Sequence, residues 1–138
     1  GGDRVGLKIS PEMNFNDIVD ANPQETYTWL VEQLHGLNLA YLHVALFGTS
    51  VDYHALLRPL FDGSYLIGGG LDQRSAESLI AKGRADAAVF GSAFLANPDL
   101  PERFRTGAEL NAPDKDTFYA PGAQGYIDYP AMSPAQSA

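Results

Sequence analysis

With 138 residues, 45% of them hydrophobic, the chain can pack one domain but falls well short of the about 250 residues of a closed eight-stranded βα barrel. A net charge of −8 argues against nucleic acid, which needs a basic face, and no apolar run approaches the ~18 residues of a membrane span. The lack of cysteine excludes disulfides, thiolate chemistry and sulfur-ligated zinc, and it fits a cytoplasmic protein.

The start, Gly1-Gly2-Asp3-Arg4, has neither an initiator methionine nor a charged-then-apolar leader, and it reads as a point inside a longer chain. Val5 to Ile9 is a strand in which Lys8 stands between Leu7 and Ile9. A cation buried there is costly unless an anion or a ligand's partial negative charge answers it. A helix opens at Asn22-Pro23, with Asn22 as N-cap and proline at the first helical position. Tyr27, Leu30, Val31 and Leu34 repeat along one face, and Gly36 closes it. Ala40 to Leu46 is the second strand, and His54 to Phe61 is a helix that Pro59 must shorten or kink. Asp62-Gly63 turns the chain into a third strand, Tyr65 to Ile67, which runs into Gly68-Gly69-Gly70. The next helix takes Asp72 as N-cap and passes Ala76, Leu79 and Ile80 to Gly83. A fourth strand, Ala87 to Phe90, breaks at Gly91-Ser92, and Asn97-Pro98-Asp99 stops the short turn that follows. Pro101 opens a last helix carrying Phe104.

Continuous apolar strands alternating with helices indicate a parallel sheet covered on both sides or closed into a barrel. The pattern alone allows a doubly wound α/β domain or half of a barrel. It gives four βα units over residues 1–105 and an irregular tail over 106–138, whose last residues, Met132 to Ala138, are expected to be disordered. The two strand ends, Gly69-Gly70 and Gly91-Ser92, offer backbone N–H groups without a Cβ in the way, which suits a phosphate. The histidines point elsewhere: His43 reads as a satisfied core residue, and His35 and His54 lie on helices. No metal-ligand spacing and no Ser/His/Asp arrangement appears.

Five segments carry a family resemblance, in order along the chain. They are Arg4-Val5-Gly6-Leu7-Lys8-Ile9-Ser10-Pro11; Ala40-Tyr41-Leu42-His43; Gly69-Gly70; Phe90-Gly91 through Asn97-Pro98-Asp99-Leu100; and Thr117-Phe118-Tyr119 with Gly125-Tyr126-Ile127-Asp128-Tyr129-Pro130. Together they cover roughly residues 4 to 130. The chain resembles the C-terminal half of an Old Yellow Enzyme family protein, an FMN-dependent ene-reductase or NADH:flavin oxidoreductase. The resemblance implies strands five to eight of a (β/α)8 barrel. It also implies FMN as cofactor, NAD(P)H as reductant and a small activated alkene as substrate. Lys8 matches the position of an arginine at the flavin's N1/C2-carbonyl edge. Gly69 and Gly70 match one corner of the phosphate site, and Gly91 and Ser92 the other. Ser92 departs from the family's usual arginine and supplies no charge. Phe118 matches a position near the isoalloxazine ring and Tyr119 one on the substrate side, although two aromatics could equally anchor the tail by burial. Tyr126 and Tyr129 read as anchors. The family's proton donor and substrate-anchoring pair come from its N-terminal half, so no residue of this chain is assigned to catalysis. The chain is expected to need that half-barrel or a second polypeptide. The alternative is a non-catalytic half-barrel that self-associates, or binds FMN or phosphate without turnover.

Overall fold

The computed structural model describes residues 1–133, and the chain divides into two compact units, one of Gly1–Val89 and one from Phe90 onward. The first unit is a parallel sheet in the order β1 (Gly6–Ile9), β2 (Tyr41–Ala45), β3 (Ser64–Gly68), β4 (Ala87–Val89). Leu7, Leu42 and Tyr65 stand level across the strands, and Ile9, Val44 and Ile67 form the next row. Both rows face α1 (Pro23–Gln33) and α2 (Tyr53–Leu57), whose Val31, Tyr53 and Leu57 complete a buried cluster with Phe61 and Ala85. Removing these side chains from water, at about 25 cal/mol per Å², is what holds the unit together.

The apolar runs allowed a sheet covered on both sides or one closed into a barrel, and within this unit the helices cover one face. The alternate residues Gly6, Lys8, Tyr41 and Ala87 are exposed, while His43 and Leu66 are half-buried.

Each helix obeys its local chemistry. α1 buries the face read from its periodicity, but the Asn22 side chain makes no capping bond. Asp20 braces the helix entry from outside, its Oδ1 accepting the N–H of Asn22 itself at 2.9 Å and the Thr26 hydroxyl at 3.3 Å. α2 ends at Leu57 and tightens into a 3-10 turn over Arg58–Leu60, because Pro59 has no N–H to continue the ladder. α3 (Gln73–Ala81) starts at a reciprocal capping box between Asp72 and Ser75.

The second unit holds α4 (Ser92–Ala96), α5 (Leu100–Thr106) and a 3-10 turn at Lys115–Thr117. The break after Phe90 is thus a short helix, where the sequence suggested a turn. Gly107, at φ 69°, ends α5 in the left-handed conformation that glycine takes most easily. Met132, expected to be disordered, is held by its N–H on Asp99 Oδ2 at 2.7 Å. Pro134 to Ala138, also expected to be disordered, lie outside the described residues.

Candidate functional site

In the first unit the loops after β1, β2 and β3 leave the same, carboxyl edge of the sheet, the edge at which parallel α/β folds build their sites. Lys8 lies near that edge and is exposed, so the expectation of a cation amid a buried strand is corrected. Strand alternation is the reason: Leu7 and Ile9 take the helix-covered face and turn Lys8 to the other. Its register partner is His43.

His43 is also corrected. It is not a satisfied core histidine: its Nε2 is buried with no hydrogen-bond partner among the described residues. Burial, and then the charge of Lys8, hold the imidazole below its ordinary pKa, so it is neutral at physiological pH. The ring lies over Gly68, where an added Cβ would sit 2.6 Å from Nε2. His54, by contrast, has its Nδ1 3.2 Å from the Tyr65 hydroxyl, and the exposed His35 has its Nδ1 3.5 Å from Asp62.

Gly69 and Gly70 follow β3 at φ 85° and 62°, both in the region that favours glycine. A Cβ on Gly69 would collide with the Leu46 backbone, whereas one on Gly70 would meet nothing within 4 Å. The corner is therefore closely packed beneath Gly69 and open above Gly70. The start of α3 beside it is capped by a carboxylate: Asp72 Oδ1 accepts the Ser75 N–H at 2.8 Å. The Ser75 hydroxyl and then its N–H hold the Asp72 carboxyl below the usual carboxylate range. The Asp72 carboxylate disfavours a second negative charge at the helix start, so what the corner offers an anion is loop backbone.

In the second unit Gly91 is the N-cap of α4 and makes no side-chain capping bond. Gly91 and Ser92 are both exposed, and a Cβ on Gly91 would meet nothing within 4 Å. The N–H groups of the first turn precede the first intrahelical bond, which Leu95 donates to the Gly91 carbonyl at 2.9 Å. Phe118 is half-buried and Tyr119 is 89% exposed, so within this unit Tyr119 anchors nothing. Tyr126, read as an anchor, is 69% exposed and is not one. Tyr129 is: its hydroxyl accepts the Asp114 N–H at 2.7 Å.

Among the described residues no cluster of three or more His, Cys, Asp or Glu could hold a metal, and no helix is long and apolar enough to cross a membrane.

The chain matches no family model. It is 37% identical over 147 residues to putative 12-oxophytodienoate reductase 5 of Oryza sativa subsp. japonica, covering 99% of this chain and 39% of the relative. It is 40% identical over 135 residues to a probable flavin mononucleotide-dependent alkene reductase of Leishmania infantum, covering 96% of this chain and 37% of the relative. The old yellow enzyme from Trypanosoma cruzi superposes with a TM-score of 0.90 at 36% identity, over 96% of this chain and 36% of its own. Along nearly its whole length the chain is similar to the Old Yellow Enzyme family. Morphinone reductase is a further structural relative, with a TM-score of 0.87 at 36% identity over 98% of this chain and 38% of its own. The chain thus spans less than two fifths of the length of these Old Yellow Enzyme relatives.

Asn97, fully buried, donates from Nδ2 to the carbonyls of Ala93 and Asn111 and accepts the Asn111 N–H at 2.7 Å. Arg103, 6% exposed, donates to Asp99 at 2.7 Å and to the carbonyls of Glu109 and Pro130 at 2.5 and 3.1 Å. The Met132 N–H and then Arg103 hold the Asp99 carboxyl below the usual carboxylate range. Asn97-Pro98-Asp99-Leu100 and Arg103 are therefore the clamp that fixes the tail. The available signal was a polar pair, Asn97 and Asp99, beside an arginine one turn on.

Proposed function

We propose that the protein carrying this chain is an FMN-dependent NAD(P)H oxidoreductase that reduces activated alkenes. Its identity to a probable flavin mononucleotide-dependent alkene reductase over 96% of the chain carries this reading. In it, residues 1–105 are strands five to eight of a (β/α)8 barrel with their helices, and 106–138 are a tail packed on that barrel. The open inner face of the sheet and its sequential parallel order support it.

The residues present fit a phosphorylated flavin. Gly70 gives a left-handed turn with open space where a Cβ would be, which lets backbone N–H groups approach phosphate oxygens. Bound FMN supplies a two-electron carrier between NAD(P)H and the alkene. Gly69 and Gly70, with Gly91 and Ser92 as the second corner, hold the phosphate. Lys8 places a fixed positive charge at the flavin's N1/C2-carbonyl edge, where electron density collects on reduction. It keeps the charge of the family arginine and loses its planar fork. Phe118 lies beside the ring and Tyr119 lines the substrate pocket. The proton donor and the substrate-anchoring pair come from the remaining half-barrel or a second polypeptide. The protein is placed in the cytoplasm, with which the lack of cysteine agrees.

The test is direct. The purified protein should carry or take up FMN, seen as a visible flavin band, and should oxidise NAD(P)H when a cyclic enone is added. A folded protein that takes up no FMN would overturn the reading. The edge strands β1 and β4, each paired on one side only in this unit, favour a second reading for the chain alone: a half-barrel that self-associates, or binds FMN or phosphate without turnover. Assembly without enone reduction would decide for it.

A further inference from the structure

The carboxyl edge holds a feature that the flavin reading does not use. Glu12, three residues beyond β1, has a left-handed φ of 56°. Its carboxylate accepts the Ser50 N–H at 2.7 Å, the Ser50 hydroxyl at 2.8 Å and the Tyr53 hydroxyl at 3.0 Å. One side chain thus joins the loop after β1 to the loop after β2. At the other end of the first loop, Asp20 takes the Asn22 N–H and the Thr26 hydroxyl.

Between these posts residues 14–19 are exposed. A cavity of about 140 Å³ lies beneath this span, lined by Glu12, Met13, Ile18, Asp20 and Tyr27 among others. Asn16 and Asp17 turn the chain at φ 51° and 60°. Phe15 and Ile18 are 54% exposed, and Val19 is 85% exposed. A loop that lifts large apolar side chains into solvent at the carboxyl edge of a parallel sheet marks a place where something apolar binds.

We propose that Glu12 is a positioning residue: it locks the loops after β1 and β2 together and so sets the apolar span 13–19 against an apolar substrate. The inference rests on the alkene-reductase reading. Glu12 touches neither cofactor nor substrate in it, and its effect passes through the backbone of residues 13–19. Removing the carboxylate frees the hollow span and leaves the glycine corner after β3 intact.

The experiment uses the FMN-loaded protein without reductant. Enone affinity is read from the shift of the flavin band and FMN affinity from fluorescence quenching, in Glu12→Ala, Glu12→Gln and Tyr53→Phe. Glu12→Ala should weaken enone binding on the order of tenfold, since ångström-scale misplacement of positioning groups costs that much or more, while FMN affinity stays within about twofold. Glu12→Gln keeps one acceptor oxygen and should fall between wild type and Glu12→Ala. Hydrogen exchange should quicken together at residues 13–19 and 49–51. Unchanged enone affinity in a folded, FMN-loaded Glu12→Ala overturns the proposal, and so does a parallel loss of FMN. If the wild type takes up no FMN, the flavin reading fails on its own. Exchange then still decides the lock, because an unchanged rate at 13–19 refutes it.

Discussion

Two adjacent glycines make opposite predictions. Gly69→Ala places a Cβ at φ 85°, where a left-handed backbone costs an L residue about 1–2 kcal/mol. That Cβ also strikes the backbone of Leu46. Leu46 cannot withdraw freely, because its N–H donates to the Gly68 carbonyl at 2.9 Å and ties the β2 loop to the end of β3. Overpacking of this kind adds about 1–3 kcal/mol, so the total is about 2–5 kcal/mol. Gly70→Ala bears only the conformational cost, about 1–2 kcal/mol, since its Cβ meets open space. Urea unfolding at equal m-values should therefore separate the variants by about 1–3 kcal/mol, with Gly69→Ala the weaker. FMN binding should be lowered by Gly70→Ala in a protein that is still well folded, because its methyl occupies the space a phosphate needs. Equal destabilisation by the two substitutions would refute the packing argument. A stable Gly70→Ala with undiminished FMN affinity would remove this corner from the phosphate site.

Ser92→Arg restores a charge at the second corner and should tighten FMN roughly tenfold or more, the worth of a charge-assisted hydrogen bond of about 1.5–3 kcal/mol, with part of the gain lost in high salt; equilibrium titration reads it. Lys8→Met should lower the flavin's midpoint potential by ~30 mV per ~1.4 kcal/mol of lost stabilisation, as a dye-linked redox titration would show; an unchanged potential makes Lys8 structural. Arg103→Met leaves the Glu109 and Pro130 carbonyls without their donor and Asp99 without its cation, and should loosen the tail; limited proteolysis should then cut it after Gly107, where the wild type resists. The buried imidazole of His54 is held below 6.5 mainly by burial, opposed by Asp52 and assisted by Arg84. The unfolded chain therefore takes up the proton first. The stability due to His54 is complete above pH 6.5 and is lost as pH falls below it; unfolding between about pH 5 and 8 should show this slope, and His54→Gln should flatten it.

Much of the fold was legible because its signals are local. The apolar runs gave all four strands, Pro59 gave the break in α2, and Asp72 gave the start of α3. The exposure of Lys8 was not legible. A continuous apolar run does not say which of its faces a helix will cover. Asn22 stands at the N-cap position as read, yet its side chain caps nothing; Asp20, two residues earlier, instead takes the N–H of Asn22 itself. At the strand end after β3, Gly69 and Gly70 adopt the left-handed φ that glycine takes most easily, whereas Gly91, at φ −91°, does not need glycine for its backbone. The clamp on Arg103 and the Glu12 lock could not be read from the sequence, because each joins groups far apart in it, 27 residues for Arg103 and Pro130 and 38 for Glu12 and Ser50.

The rings that lie over glycines on the uncovered face set a rule for how this sequence can change. Any Cβ on Gly6 would enter the ring of Tyr41, and one on Gly68 would press on His43. Positions 6 and 41, and 68 and 43, are therefore not free of one another. Gly6→Ala becomes harmless once Tyr41 is small, and Tyr41→Ala alone leaves a furrow over Gly6 that an alanine there would refill. Double-mutant cycles on these pairs should give compensating terms well beyond the few tenths of a kcal/mol seen for independent sites. Related chains that lose the ring should be the ones free to lose the glycine.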